Sequence, residues 1–177
     1  MDTSELRVEQ RLWELTQRVR HSARREPTLG AAVASGTAGA LALTAVHQLA
    51  RRRLPNAPRM DVLGMRAMAR GAHRLGKQPP TGRALYRATL AGDLLSNAAY
   101  YSAVALGGQY AVQAGAALGL AAGFGALALP PAIGLGRPPH VHAWSNRLMT
   151  VAWYTIGGLV AGASYKAIQR QRGRGHA

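Results

Sequence analysis

From Leu94 to Gly136 the chain carries no Asp, Glu, Lys or Arg, while basic residues crowd both flanks. An uncharged stretch of that length has room for two apolar helices of about 20 residues each. Gly107-Gly108-Gln109 supplies the turn between them. The first helix, residues 88–106, includes Asp93; the second, residues 109–129, would reach about 30 Å before Pro130-Pro131 stops it. Two further uncharged stretches flank this pair. Residues 28–50 lie between Arg24-Arg25 and Arg51-Arg52-Arg53, and residues 148–165 follow the loop Gly136-Arg137-Pro138-Pro139. The earlier stretch is diluted by Gly30, Ser35, Gly36, Thr37, Gly39 and Thr44, so it suits either a weak membrane span or a buried helix.

Two segments have helical period with a polar side. Within residues 4–24, Val8, Leu12, Leu15 and Val19 form a narrow apolar stripe, which Pro27 follows. In residues 60–75, Val62, Met65, Ala69, Ala72 and Leu75 share one face, while Arg66, Arg70, His73 and Lys77 share the other. Such a helix can lie in the headgroup layer with its cations on anionic lipid phosphates. The predicted organisation is an amphipathic N-terminal helix at 1–27, a membrane helical domain at 28–165 that includes the basic interfacial helix 60–75, and a basic tail at 166–177. The fold class is therefore all-α, a small integral membrane helical bundle of two to four transmembrane helices with amphipathic interfacial helices.

Charge sharpens this picture. The net charge of +15 is concentrated in residues 51–87, which hold ten basic residues against Asp61 alone. The near-zero mean hydropathy averages this segment with the uncharged ones. If all four stretches cross, basic residues divide almost evenly between the two sides; if the first does not, they gather on one side. The expected location is the membrane, multi-pass, with the 51–87 loop cytoplasmic and the Gly107-Gly108 turn external. The charged first 27 residues exceed the basic region of a signal peptide, so no cleavage is expected. The absence of cysteine excludes disulfide and thiolate chemistry.

Two patterns carry the functional expectations. Gly115, Gly119 and Gly123 recur at intervals of four, as do Gly158 and Gly162, which marks faces where helix backbones can approach closely. Packing within one chain is favoured over self-association. The second is Asp93, which shares a polar helix face with Ser96, Asn97 and Tyr100. An intramembrane carboxylate is costly unless paired, protonated or wet. A salt bridge to Arg87 or to the interfacial helix, or a helix-to-helix hydrogen bond, is the structural explanation and is favoured over proton or ion handling, the functional one. His140-Val141-His142 lacks a third ligand at metal-binding spacing, and no nucleotide loop, zinc motif or nucleophile turn is present. No catalytic residue, metal or cofactor is assigned.

The sequence thus suggests a non-enzymatic structural or interaction protein, self-associating or serving as a subunit of a membrane complex. The alternative is a small channel or ion-coupled transporter built on the face around Asp93. Expected partners are anionic membrane lipids and a second copy or another membrane protein; no specific nucleic-acid binding is expected.

Overall fold

The structure, a computed structural model, describes residues 9–11, 13–14, 28–141 and 143–174. The amphipathic helix expected before Pro27 lies largely outside them. Among the described residues the regular elements are helical and none is a strand. Helix α1 is Leu29–Arg53, α2 Met60–Arg74, α3 Gly82–Ser102, α4 Ala111–Ala132 and α5 Trp144–Arg174, with a 3-10 helix at Ala103–Tyr110 between α3 and α4.

Local chemistry sets these boundaries. Leu54 is extended (φ −119°, ψ 108°), as a residue before proline must be to avoid the ring of Pro55, and α1 ends there with Arg51, Arg52 and Arg53 in its negative-ended last turn. After α2, Gly76 takes φ +68° while its amide donates to His73 and that of Lys77 donates to Ala72, so the last carbonyls are satisfied. Gly108 (φ 51°, ψ −117°) breaks the run between α3 and α4 at the predicted turn, in a backbone region open to glycine.

Several boundaries differ from the sequence expectation. Helix α3 begins at Gly82, so Arg83 and Arg87 lie within it. Helix α4 runs through Pro130-Pro131 to Ala132. Proline removes donors but leaves its carbonyl as an acceptor, and Ile133, Gly134 and Leu135 donate back to Leu129, Pro131 and Pro130. Helix α5 continues past residue 165, so residues 166–174 prolong it.

Helices α1, α3, α4 and α5 form an up-down-up-down bundle. The antiparallel relations follow from the residues that meet. Gly36 lies on Ala98 and Ser102, while Gln48 reaches Tyr86; Gly39 lies on Gly157 and Ala161, while His47 meets Trp153 and Tyr154. The α4–α5 side is the most closely packed, and the α3–α4 side the least. The buried centre includes Leu43, Tyr101, Val104, Trp153, Ala161 and Tyr165. One end of the bundle holds the start of α1, the Gly108 turn and the end of α5. The other holds α2, packed on α3, together with the loops at 54–59 and 133–143.

Among the described residues two helical runs are long and apolar enough to cross a membrane: Leu29–Arg53, and Gly82–Ala132, which comprises α3, the 3-10 helix and α4. Helix α5, diluted by Thr150, Trp153, Tyr154 and Thr155, is not among them.

Candidate functional site: a polar cavity at the basic end

A cavity of about 230 Å³ lies where α2 closes over α1 and α3. Thr44, His47, Gln48 and Arg51 of α1 recur at spacings of three and four and so share one face. Tyr86, Thr89, Leu90, Asp93 and Asn97 do the same on α3. Met60, Asp61, Leu63, Gly64 and Ala67 contribute from α2, and Tyr154 from α5. Gly64 permits the closure: a Cβ there would sit 2.6 Å from Thr89 Cγ2 and 3.4 Å from Asp93 Oδ2.

The two acids of this cavity have different surroundings. Arg59 donates two hydrogen bonds to Asp61, both 2.9 Å, and Arg51 stands 3.5 Å away with its guanidinium 5.2 Å from the Tyr86 ring centroid. Burial pushes the Asp61 carboxyl up, but the hydrogen bonds and charge of Arg59, the Val62 amide and the charge of Arg51 outweigh it and hold the group below its ordinary range. Asp61 is therefore a neutralised anion. The Asp93 carboxylate, by contrast, makes no ion pair or side-chain hydrogen bond among the described residues.

The salt bridge expected for Asp93 is thus absent, and the geometry explains why. Arg87 precedes it by six positions, which places the two about 240° apart around the helix and about 9 Å apart along it. The basic face of α2 is engaged elsewhere. Arg66 donates to the carbonyls of Leu135 (3.4 Å) and Arg137 (3.1 Å), and Arg70 to that of Ile133 (3.1 Å), which ties α2 to the end of α4. All four residues expected to meet headgroups, Arg66, Arg70, His73 and Lys77, are exposed, and two of them, Arg66 and Arg70, also donate to these carbonyls.

The polar face of α3 is also divided. Asp93 and Asn97 line the cavity, whereas Ser96 and Tyr100 are exposed. Ser96 Oγ donates to the backbone carbonyl of Asp93, and Tyr100 Oη donates 2.9 Å to Leu118 O of α4. Tyr100 falls two turns, about 10.5 Å, beyond Asp93 on the same face. At that height the face meets α4, because α2 covers only the basic end.

Two buried polar atoms complete the site. Thr89 is 4% exposed and lines the cavity, and its Oγ1 has no hydrogen-bond partner. His47 stands edge-on to Trp153 and Tyr154, with centroids 5.1 and 5.8 Å away, and its Nε2 is likewise unpartnered. Gln48 Nε2 donates 2.8 Å to Tyr86 Oη. Sequence reasoning passed over His47 and Gln48, although a polar pair between Val46 and Leu49 in an apolar helix was the available signal. No group of three His, Cys, Asp or Glu side chains able to hold a metal ion occurs among the described residues.

The glycine series form a separate feature, the seam between α4 and α5. A Cβ on Gly115 would strike Gly158 O, one on Gly119 would lie 2.5 Å from Thr155 Cα, and one on Gly123 would lie 2.7 Å from Val151 Cα. Gly162 faces Ala111 and Val112 in the same way. The seam is intramolecular.

No family model, curated protein or solved structure matches the chain. Its class rests on fold and site: among the described residues the regular elements are all helical, and two helical runs are able, by length and composition, to cross a membrane.

Proposed function

We propose that the chain is a multi-pass integral membrane protein in which the bundle crosses the bilayer and the cavity around Asp93 binds a small ion or solute in transit. The observation that carries this reading is an unpartnered carboxylate on a cavity wall inside an apolar helical run. Such a charge is costly in lipid, and its place on a cavity gives it a chemical use. Membrane residence is supported by where the apolar surface points. Only 17% of the apolar window of Gly82–Ala132 is buried, and Leu95 and Phe124 are 72% and 61% exposed. A soluble core helix would turn that surface inward. The dense basic cluster of residues 51–87, joined at the same end by Arg137 and Arg147, faces one side of the membrane and the basic end of α5 faces the other, so charge alone does not orient a bundle whose four helices all cross.

The test is flux across proteoliposomes holding equal amounts of folded wild type and Asp93→Asn, under proton and simple ion gradients. Flux that falls in the variant supports the reading. Two folded but silent proteins would overturn transport and favour a non-enzymatic structural or interaction subunit. In that second reading, self-association or joining of a larger complex must use a face other than the glycine seam, which α5 already covers. The loosely packed α3–α4 side, with Ser96 exposed, is the observation in its favour.

A further inference from the structure

We infer that the cavity takes a primary ammonium group, with Asp93 as its counter-ion and Thr89 and His47 as neutral acceptors. This deepens the reading of the cavity as a solute site and rests on it.

Charge comes first. The charged groups on the cavity wall are Arg51, Asp61 and Asp93. Arg59 and Arg51 both stand on Asp61, whereas no cation of the described residues lies within ion-pair distance of Asp93, and a ligand's positive charge would supply one. The free polar atoms point the same way. Thr89 Oγ1 and His47 Nε2 are buried without partners, which costs each its lost hydration. An ammonium has three N–H donors and no acceptor, which suits a carboxylate, a hydroxyl and the acceptor nitrogen of an imidazole that is neutral at pH 7 by its ordinary pKa. His47 then holds its proton on Nδ1.

Size and wall chemistry separate an amine from a bare ion. A cavity of about 150 Å³ is enough for benzene, and this one is about 230 Å³. A calcium ion takes about six to eight oxygen ligands at short range, whereas three acceptors satisfy the three N–H donors of an ammonium. Leu43, Leu63 and Leu90 offer apolar wall for a short hydrocarbon body.

The ammonium has two sources, a soluble amine or the headgroup of an aminophospholipid. Asp93 lies about 9 Å beyond Arg87 along α3, and the cavity extends from it to Tyr86, within reach of a headgroup beside α2. The surrounding arginines repel a free cation, so a soluble amine should bind faster as ionic strength rises. A zwitterionic headgroup lacks that dependence.

The experiment uses the full chain. In detergent, n-butylammonium chloride is titrated by calorimetry against wild type, Asp93→Asn and Thr89→Val, with butyramide as the neutral probe. In parallel, the proteins are placed in nanodiscs of phosphatidylcholine with or without phosphatidylethanolamine, and retained lipid is measured by mass spectrometry. Saturable butylammonium binding, weakened about 10- to 100-fold in Asp93→Asn and several-fold in Thr89→Val, is the result expected of a soluble amine. Selective retention of phosphatidylethanolamine, lost in Asp93→Asn, is the result expected of a headgroup. Neither probe binding the folded wild type, or either binding Asp93→Asn equally well, overturns the inference. Amine binding without flux would sink transport and leave the ligand assignment standing. Asp93-dependent proton flux without binding of either probe would do the reverse.

Discussion

The sharpest stability prediction concerns Gly119→Ala. The added methyl carbon would lie 2.5 Å from Thr155 Cα, 2.7 Å from Tyr154 O and 3.0 Å from Thr155 N, all backbone atoms of α5. Carbon atoms rest about 3.5–4.0 Å apart, so α4 and α5 must separate by about 1 Å. A gap of that size forfeits between a quarter and a half of the dispersion energy of the surfaces it parts. Overpacking costs about 1–3 kcal/mol, and an obstacle that yields only by moving a whole helix belongs near about 3 kcal/mol. Alanine returns about 1 kcal/mol through its higher helix propensity, which leaves a net loss of about 2 kcal/mol. At about 2–4 °C per kcal/mol for a chain of this size, the melting temperature should fall by about 4–8 °C. Gly30→Ala is the control, because a Cβ there meets nothing within 4 Å, and it should raise stability by about 1 kcal/mol. Thermal unfolding followed by circular dichroism in mild detergent reads both. If Gly119→Ala melts as high as Gly30→Ala, the seam is not where the structure puts it.

Two more predictions follow from the basic end. Because the folded-state pKa of Asp61 is depressed, its contribution to the docking of α2 is present above the ordinary carboxylate value of 3.8 and is lost as pH falls through the lower folded value. Amide exchange of residues 60–74 should therefore be insensitive to this group between about pH 5 and about pH 8 and rise under acid conditions; a rise already at about pH 6, absent in Asp61→Asn, would contradict the ion pairing. The chain has no cysteine, so Lys77→Cys and Gln109→Cys each supply a single thiol at opposite ends of the bundle. In sealed vesicles a membrane-impermeant maleimide should label one and spare the other, and equal labelling of both from one side would refute a crossing by α3.

Local signals in the sequence carried a good deal of this architecture. Helix α2 occupies nearly the segment whose apolar and basic residues alternate at helical period, and Gly76 ends it through its own positive φ. Gly108 turns the chain where the uncharged run is long enough to fold back on itself. The boundary at Pro130-Pro131 was misjudged because proline acts against the carbonyls and amides before it, whereas the end of α4 is settled by amides that come after it. Asp93 stood out from its apolar neighbours, but its surroundings depended on residues far away in the chain.

Sequence by itself determined which stretches are apolar helices, where glycine lets the chain turn, and which helix faces are small enough for backbones to touch. These follow from period, hydrophobicity and the φ/ψ freedom of single residues, all of which act over a few positions. Only the tertiary structure decided that Gly119 meets Thr155 within the same chain, that Arg66 and Arg70 bind carbonyls of the loop after α4, and that Asp93 and His47 line one cavity, with Asp93 in no ion pair among the described residues. Each of these pairs joins different helices, and which faces meet is set by the direction and rotation of whole helices in the bundle, a sum over many distant contacts that no local pattern encodes.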